Sequence, residues 1–114
     1  MPIDATTTLP HGLRLRVRLP HTSERAGLRT LLTRLGVVAE ELELARAARF
    51  DPRRRTVACV TAWVGGSEEL VAWGAIDAGA QEPELLLADE ALAPGAGAVL
   101  AAALRERSER HAAA

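Results

Sequence analysis

Two closely spaced glycines near the end of the chain are the residues whose spacing has the clearest chemical meaning. Gly95 and Gly97 follow the apolar run 85–88 and precede an alanine-rich segment that has the composition of a helix. Glycine lets a backbone approach a ligand closely, and a helix that begins at such a turn directs free amide groups and the positive end of its dipole at an anion. The spacing therefore predicts a phosphate-binding turn.

Two other interpretations compete for the same glycines. A dinucleotide-binding fingerprint needs a third glycine where Leu100 stands, and an acidic residue about 20 positions further on, for which the chain has no room. That interpretation is rejected. An ordinary helix start, in which Pro94 sets the first turn and the glycines only relieve crowding, remains open.

The other side chains that could carry chemistry have simpler structural explanations. The three histidines are far apart, and none has a cysteine or carboxylate at ligand spacing, so no metal site is expected. Cys59, Trp63 and Trp73 all fall within predicted strands, where packing in the core is the expected role.

The composition excludes several classes of protein. All fourteen basic residues are arginine, which excludes a P-loop and lysine Schiff-base chemistry and, with abundant Ala, Gly and Pro, indicates a GC-rich bacterial genome. A formal net charge of −1 and few aromatic residues argue against nucleic-acid binding. No apolar run approaches the roughly 20 residues of a membrane span. A soluble cytoplasmic protein with no membrane contact is therefore expected.

The elements that must position the glycine turn follow from the hydrophobic periodicity. Alternating apolar residues and arginines predict a strand over 13–19, and leucines at helical spacing predict a helix over 23–35. The remaining predictions are a helix over 37–50, a strand hairpin of 56–64 and 70–77, a strand over 84–88 and a final helix. Residues 1–11 are expected to be a flexible tail, followed by one α+β domain over 12–114 with helices packed on four strands.

This order of elements and the glycine turn together resemble the Gcn5-related N-acetyltransferases. Their signature is Gln/Arg-x-x-Gly-x-Gly/Ala, and the segment Leu92-Ala93-Pro94-Gly95-Ala96-Gly97 matches its two small positions but not its polar first one. The phrase Leu70-Val71-Ala72-Trp73-Gly74-Ala75-Ile76 is similar to the family's third strand. The resemblance covers residues 12–113 and implies an α/β sandwich with a mainly antiparallel four-stranded sheet and three helices. The family fold continues with further strands, so half of its cofactor cleft is expected to be absent.

The resemblance also implies a ligand and a set of site residues. Acetyl-CoA, or another acyl-CoA, would place its pyrophosphate on the backbone amides of Gly95, Ala96, Gly97 and Ala98. Its pantetheine would pair with the strand at Leu85 and Leu87. Glu84 is the best-placed carboxylate for the base that family members use, whereas the sequence contains no tyrosine to act as the acid.

Three functions therefore remain open from the sequence. The first is an acetyltransferase that acts on a small amine or a protein N-terminus, and the second is a non-catalytic domain of the same fold that serves dimerisation or protein interaction. The third is an unrelated α+β interaction module. The run 85–88 is apolar on both faces, as in a central strand, although it is expected at a sheet edge. A homodimer that covers this edge is therefore expected.

Overall fold

Five strands and two helices make up the described part of the chain, which in this computed structural model comprises residues 4–20, 24–37 and 55–113. The strands form one antiparallel sheet in the order β1-β2-β3-β4-β5. In chain order the elements are β1 (Asp4–Thr8), β2 (Arg14–Arg18), α1 (Arg25–Arg34), β3 (Arg55–Val64), β4 (Ser67–Asp77), β5 (Leu85–Ala88) and α2 (Ala96–Ala113). Neither of the two described helices is long and apolar enough to cross a membrane.

The sheet has one strand more than the sequence predicted. Residues 1–11 were expected to be a tail, but Asp4–Thr8 forms β1, which pairs antiparallel with β2. All five residues of β1 are exposed, so the strand has no alternation of apolar and polar residues that would reveal it. Its three threonines suit extended backbone, and Arg16 on β2 binds both carboxylate oxygens of Asp4 at 2.9 and 2.8 Å.

The other predicted elements are confirmed, with one outside the described residues. The strands over 13–19, 56–64, 70–77 and 84–88, the helix over 23–35 and the final helix all form, with ends that shift by a few residues. The described residues contain two helices where the sequence predicted three. From residue 38 onward, the helix predicted over 37–50 lies outside them.

The helices pack on opposite faces of the sheet. Neighbouring strand residues point to opposite sides, and the two helices contact different sets of them. Leucines of α1 contact one set of strand residues, which includes Cys59 and Trp73, and both of these are buried as predicted. Leu100 and Leu104 of α2 pack in the other core. The residues of that second core on the strands are Leu15, Val17, Ala58, Val60, Ala62, Val71, Ala72 and Ile76.

Gly74 sets how closely β5 and α2 approach the centre of the sheet. A Cβ at this position would lie 2.9 Å from the Leu85 carbonyl oxygen and 3.0 Å from Cδ1 of Leu104. Both distances are shorter than ordinary contacts between these atoms, so a larger residue would push the strand or the helix away. Because Gly74 has no side chain, β5 and the turn that follows it can lie close against the sheet.

Candidate anion-binding site

Asp89 fixes the chain where it leaves β5 and enters the glycine turn. Its backbone amide donates to the Val71 carbonyl at 2.8 Å, and its Oδ1 accepts the Leu92 amide at 3.1 Å. Its other carboxylate oxygen accepts a hydrogen bond from Arg34 Nε at 2.9 Å, and the same guanidinium also binds the Leu70 carbonyl. Asp89 is buried, so these contacts tie the turn to β4 and to the last turn of α1.

The two glycines of the turn are required for different physical reasons. Gly95, just before the first residue of α2, has φ +95°, a conformation that L side chains rarely adopt. Gly97 lies in the first turn of α2, with no positive φ. A Cβ on Gly97 would instead lie 2.7 Å from Glu90 Oε1 and 3.2 Å from the Cβ of Ala88. Gly95 therefore shapes the turn, and Gly97 leaves room for a group in front of it.

That group is the carboxylate of Glu90. Its Oε2 accepts a hydrogen bond from the Gly95 amide at 2.7 Å, and its Oε1 accepts one from the Gly97 amide at 3.1 Å. The amides belong to the N-terminus of α2, where the helix dipole favours negative charge. Two of the four predicted amide donors thus converge on one anionic group. Of the others, the Ala96 amide donates to a backbone carbonyl three residues earlier at 3.1 Å, and Ala98 lies exposed in the first turn.

Leu85 and Leu87 lie on β5 and turn their side chains toward the α1 side of the sheet. Both are partly buried against that core, and they pair with Ala75 and Trp73 of β4. Among the described strands β5 pairs only with β4, so it forms an edge of the sheet, as the sequence predicted. Leu86, between the two, is 43% exposed.

Glu84 lies at the opposite end of β5 from the glycine turn. Four strand residues separate it from the end of β5, which corresponds to about 13 Å at the usual rise per residue. Its side chain is 57% exposed, and Oε2 is 3.9 Å from Arg55 Nε. The structure therefore does not bring Glu84 to the anion-binding amides, which lie beyond the other end of β5.

The turn between β1 and β2 covers the glycine turn, which the sequence did not predict. His11 Nε2 lies 3.0 Å from the Pro94 carbonyl oxygen. Because a carbonyl can only accept, this nitrogen carries the proton. Leu9 Cδ1 is 3.3 Å from the position that a Cβ on Gly95 would take. No local signal could reveal contacts between residues more than 80 positions apart.

The contact of Glu90 with the glycine amides was not predicted, although the sequence offers a signal for it. An acidic residue shortly before a helix start is suited to bind the unpaired amides of the first turn. Glu90 precedes the first residue of α2 by six positions, which is further than the usual capping residue. The intervening turn brings it back to the helix end.

Comparison with known proteins identifies the fold. No protein-family model matches the sequence, and no curated protein matches it. The structure is similar to the solved structure titled "Crystal Structure of the GNAT domain of S. lividans PAT", with a TM-score of 0.72 and 19% sequence identity, over 95% of this chain and 73% of that chain. GNAT denotes the Gcn5-related N-acetyltransferases, to which the glycine motif and the order of elements already pointed. The chain therefore has a GNAT-like fold.

Proposed function

We propose that the chain binds an acyl-CoA, such as acetyl-CoA, with its pyrophosphate at the amides of Gly95 and Gly97. The observation that carries this proposal is the convergence of these two amides on a single pair of carboxylate oxygens, at 2.7 and 3.1 Å. A phosphate offers oxygens of the same charge and similar spacing, and backbone donors hold it without any particular side chain. The GNAT-like fold supports the choice of acyl-CoA over other phosphates.

The rest of the cofactor has a place along β5. The outer edge of this strand has no strand partner within the described residues, so its outward backbone groups can pair with the amides of a pantetheine arm. The Asp89 amide bonds to β4, and the alternation of the ladder directs the backbone groups of Leu85 and Leu87 to β4 as well, so the outward groups are those of Leu86 and Ala88, not the predicted Leu85 and Leu87. An arm that follows β5 away from the glycine turn leads toward Glu84. Acyl-CoA supplies an activated thioester, and the exposed Glu84 carboxylate is the proposed base for an amine acceptor, either a small amine or a protein N-terminus.

Replacing Gly97 by valine is expected to weaken CoA binding by about tenfold or more, since the new side chain fills the space in front of the two amides. Isothermal titration calorimetry with CoA measures the effect. Ala102→Val is the matched control, because it adds a branched side chain to an exposed position of the same helix. Equal affinity in Gly97→Val and the parent protein, or no binding by the parent, would contradict the proposal.

A non-catalytic dimerisation module of the same fold is the second candidate. The sequence contains no tyrosine for the acid that family members use. The edge strand β5 presents Leu86 to solvent, and among its described neighbours nothing covers it. An unprotected apolar edge strand is a template for pairing with another chain. In this proposal a second copy pairs with β5.

Leu86→Arg is expected to convert such a dimer to a monomer, because a charge on the edge strand opposes pairing between identical copies. Thr7→Arg is the control, since it adds the same charge to β1, the strand at the opposite edge. Light scattering at micromolar concentration gives the mass of each variant. A monomeric parent protein, or a Leu86→Arg variant that remains dimeric, would rule out this interface.

Because dimer and pantetheine would both use the outer edge of β5, addition of CoA should dissociate the dimer if both proposals hold.

A further inference from the structure

The Glu90 carboxylate occupies the place that the preceding proposal gives to the cofactor pyrophosphate. We infer that Glu90 is an internal competitor for the anion-binding amides, so that acyl-CoA binds only when this side chain moves away. The inference rests on the proposed function and adds a form of regulation to that same site. It is carried by the two hydrogen bonds from Gly95 and Gly97 to the two oxygens of one carboxylate.

The geometry leaves no room for a second anion beside Glu90. The space in front of Gly97 is narrow, because a single added carbon there would lie 2.7 Å from Glu90 Oε1 and 3.2 Å from the Ala88 Cβ. Each amide has one hydrogen to donate, and both hydrogens already point at the carboxylate. A phosphate at the same point would also face the like charge of the carboxylate at close range. Occupation by Glu90 and by a phosphate is therefore mutually exclusive.

Glu90 can leave the site without disturbing the turn. The residue is exposed, and its side chain reaches solvent by rotation about its own bonds. The backbone beside it is held independently, because the buried Asp89 bonds to β4 through its own amide and to Arg34 through its carboxylate. Release of the carboxylate thus needs a side-chain rotation only, while the glycine turn keeps the conformation that binds an anion.

This competition lowers the apparent affinity for the cofactor. The apparent dissociation constant equals the intrinsic one divided by the fraction of molecules whose site is free. Two charge-assisted hydrogen bonds keep Glu90 in place for most of the time. Removal of the carboxylate is therefore expected to tighten CoA binding by about tenfold or more.

The same contact also caps helix α2, and the experiment must separate capping from competition. Glu90→Gln removes the charge at nearly constant size and is expected to bind CoA more tightly than the parent. Glu90→Asp keeps the charge on a side chain that is one methylene shorter, which draws the carboxylate back from the two amides, so it should also bind more tightly. Glu109→Gln removes the same charge from an exposed position of α2 that lies about 18 Å along the helix from Gly97. This distance exceeds the Debye length at physiological salt, so the variant should bind CoA like the parent.

Calorimetric titration of the four proteins with CoA, with thermal unfolding of each alone and with CoA, separates competition from capping and from an effect of net charge. Tighter binding by both Glu90 variants, with Glu109→Gln unchanged, supports the competition even if their unliganded melting temperatures fall. Lower melting temperatures with unchanged CoA affinity show that Glu90 is only a cap, which overturns the inference and leaves the proposed function standing. Absence of CoA binding in all four proteins overturns both. Tighter binding by Glu90→Gln and Glu109→Gln alike assigns the effect to net charge and also overturns the inference.

Discussion

Arg18→Met is expected to destabilise the folded protein by about 3–5 kcal/mol, the usual effect of breaking a buried ion pair by removing one partner. Arg18 is buried at the end of β2 and binds the carboxylate of Glu24, with Glu68 at 3.9 Å. The hydrogen bond with Glu24 raises the pKa of Arg18. Methionine retains much of the arginine volume, so the loss arises mainly from the missing ion pair with Glu24 and the missing attraction to Glu68.

Arg16→Met is the matched control for this prediction. Arg16 precedes Arg18 by two residues on the same face of β2, and it binds the exposed Asp4. Because exposed ion pairs contribute little to stability, this variant should unfold at nearly the same urea concentration as the parent. Simultaneous replacement by Arg18→Met and Glu24→Gln should recover part of the lost stability, since it removes both charges. Equal urea midpoints for Arg18→Met and Arg16→Met would show that the ion pairs of Arg18 contribute no more to stability than an exposed pair does.

The arginines of β2 show why alternation predicts a strand better than it predicts the role of each residue. The period of two separates apolar from basic positions, and Leu15 and Val17 are indeed buried on one face. The basic face would be expected to lie in solvent. Arg18 is nevertheless buried, because two carboxylates lie beside it in the fold, Glu24 just before α1 and Glu68 on β4. Such compensation depends on tertiary contacts that no local pattern records.

The glycine turn shows the same division between local and tertiary information. Local chemistry predicted a helix start and an anion-binding turn at the two glycines. The identity of that anion in the free chain, Glu90, depends on how the turn folds back. The contact between His11 and Pro94 likewise depends on β1, an exposed strand whose pairing with β2 has no hydrophobic signature. Elements with strong periodicity were thus predictable, whereas the contacts that complete the site were not.

A rise in pH above 9 is expected to lower the free energy of unfolding by about 1.4 kcal/mol per pH unit, through one buried thiol. Burial raises the pKa of Cys59 from 9.0 to about 12, and the nearby Glu24 carboxylate acts in the same direction. The thiol donates to Glu24 Oε2 at 3.7 Å. The unfolded chain therefore releases this proton at lower pH than the folded one. The stability that the neutral thiol confers is fully present below the unfolded pKa and is lost as the pH rises toward the folded pKa.

This alkaline loss can be assigned to a single residue because the sequence has neither lysine nor tyrosine. Between pH 8.5 and 11 the other ordinary titrating group is an α-amino group, whose usual pKa of about 8 lies below this range. Urea denaturation under reducing conditions, repeated across these pH values, should show a steady decline for the parent protein. Cys59→Ala should be less stable at neutral pH, because it leaves a small cavity, but its stability should stay nearly constant across the same range. A parallel decline in both proteins would mean that the Cys59 thiol is not the group that responds to alkali.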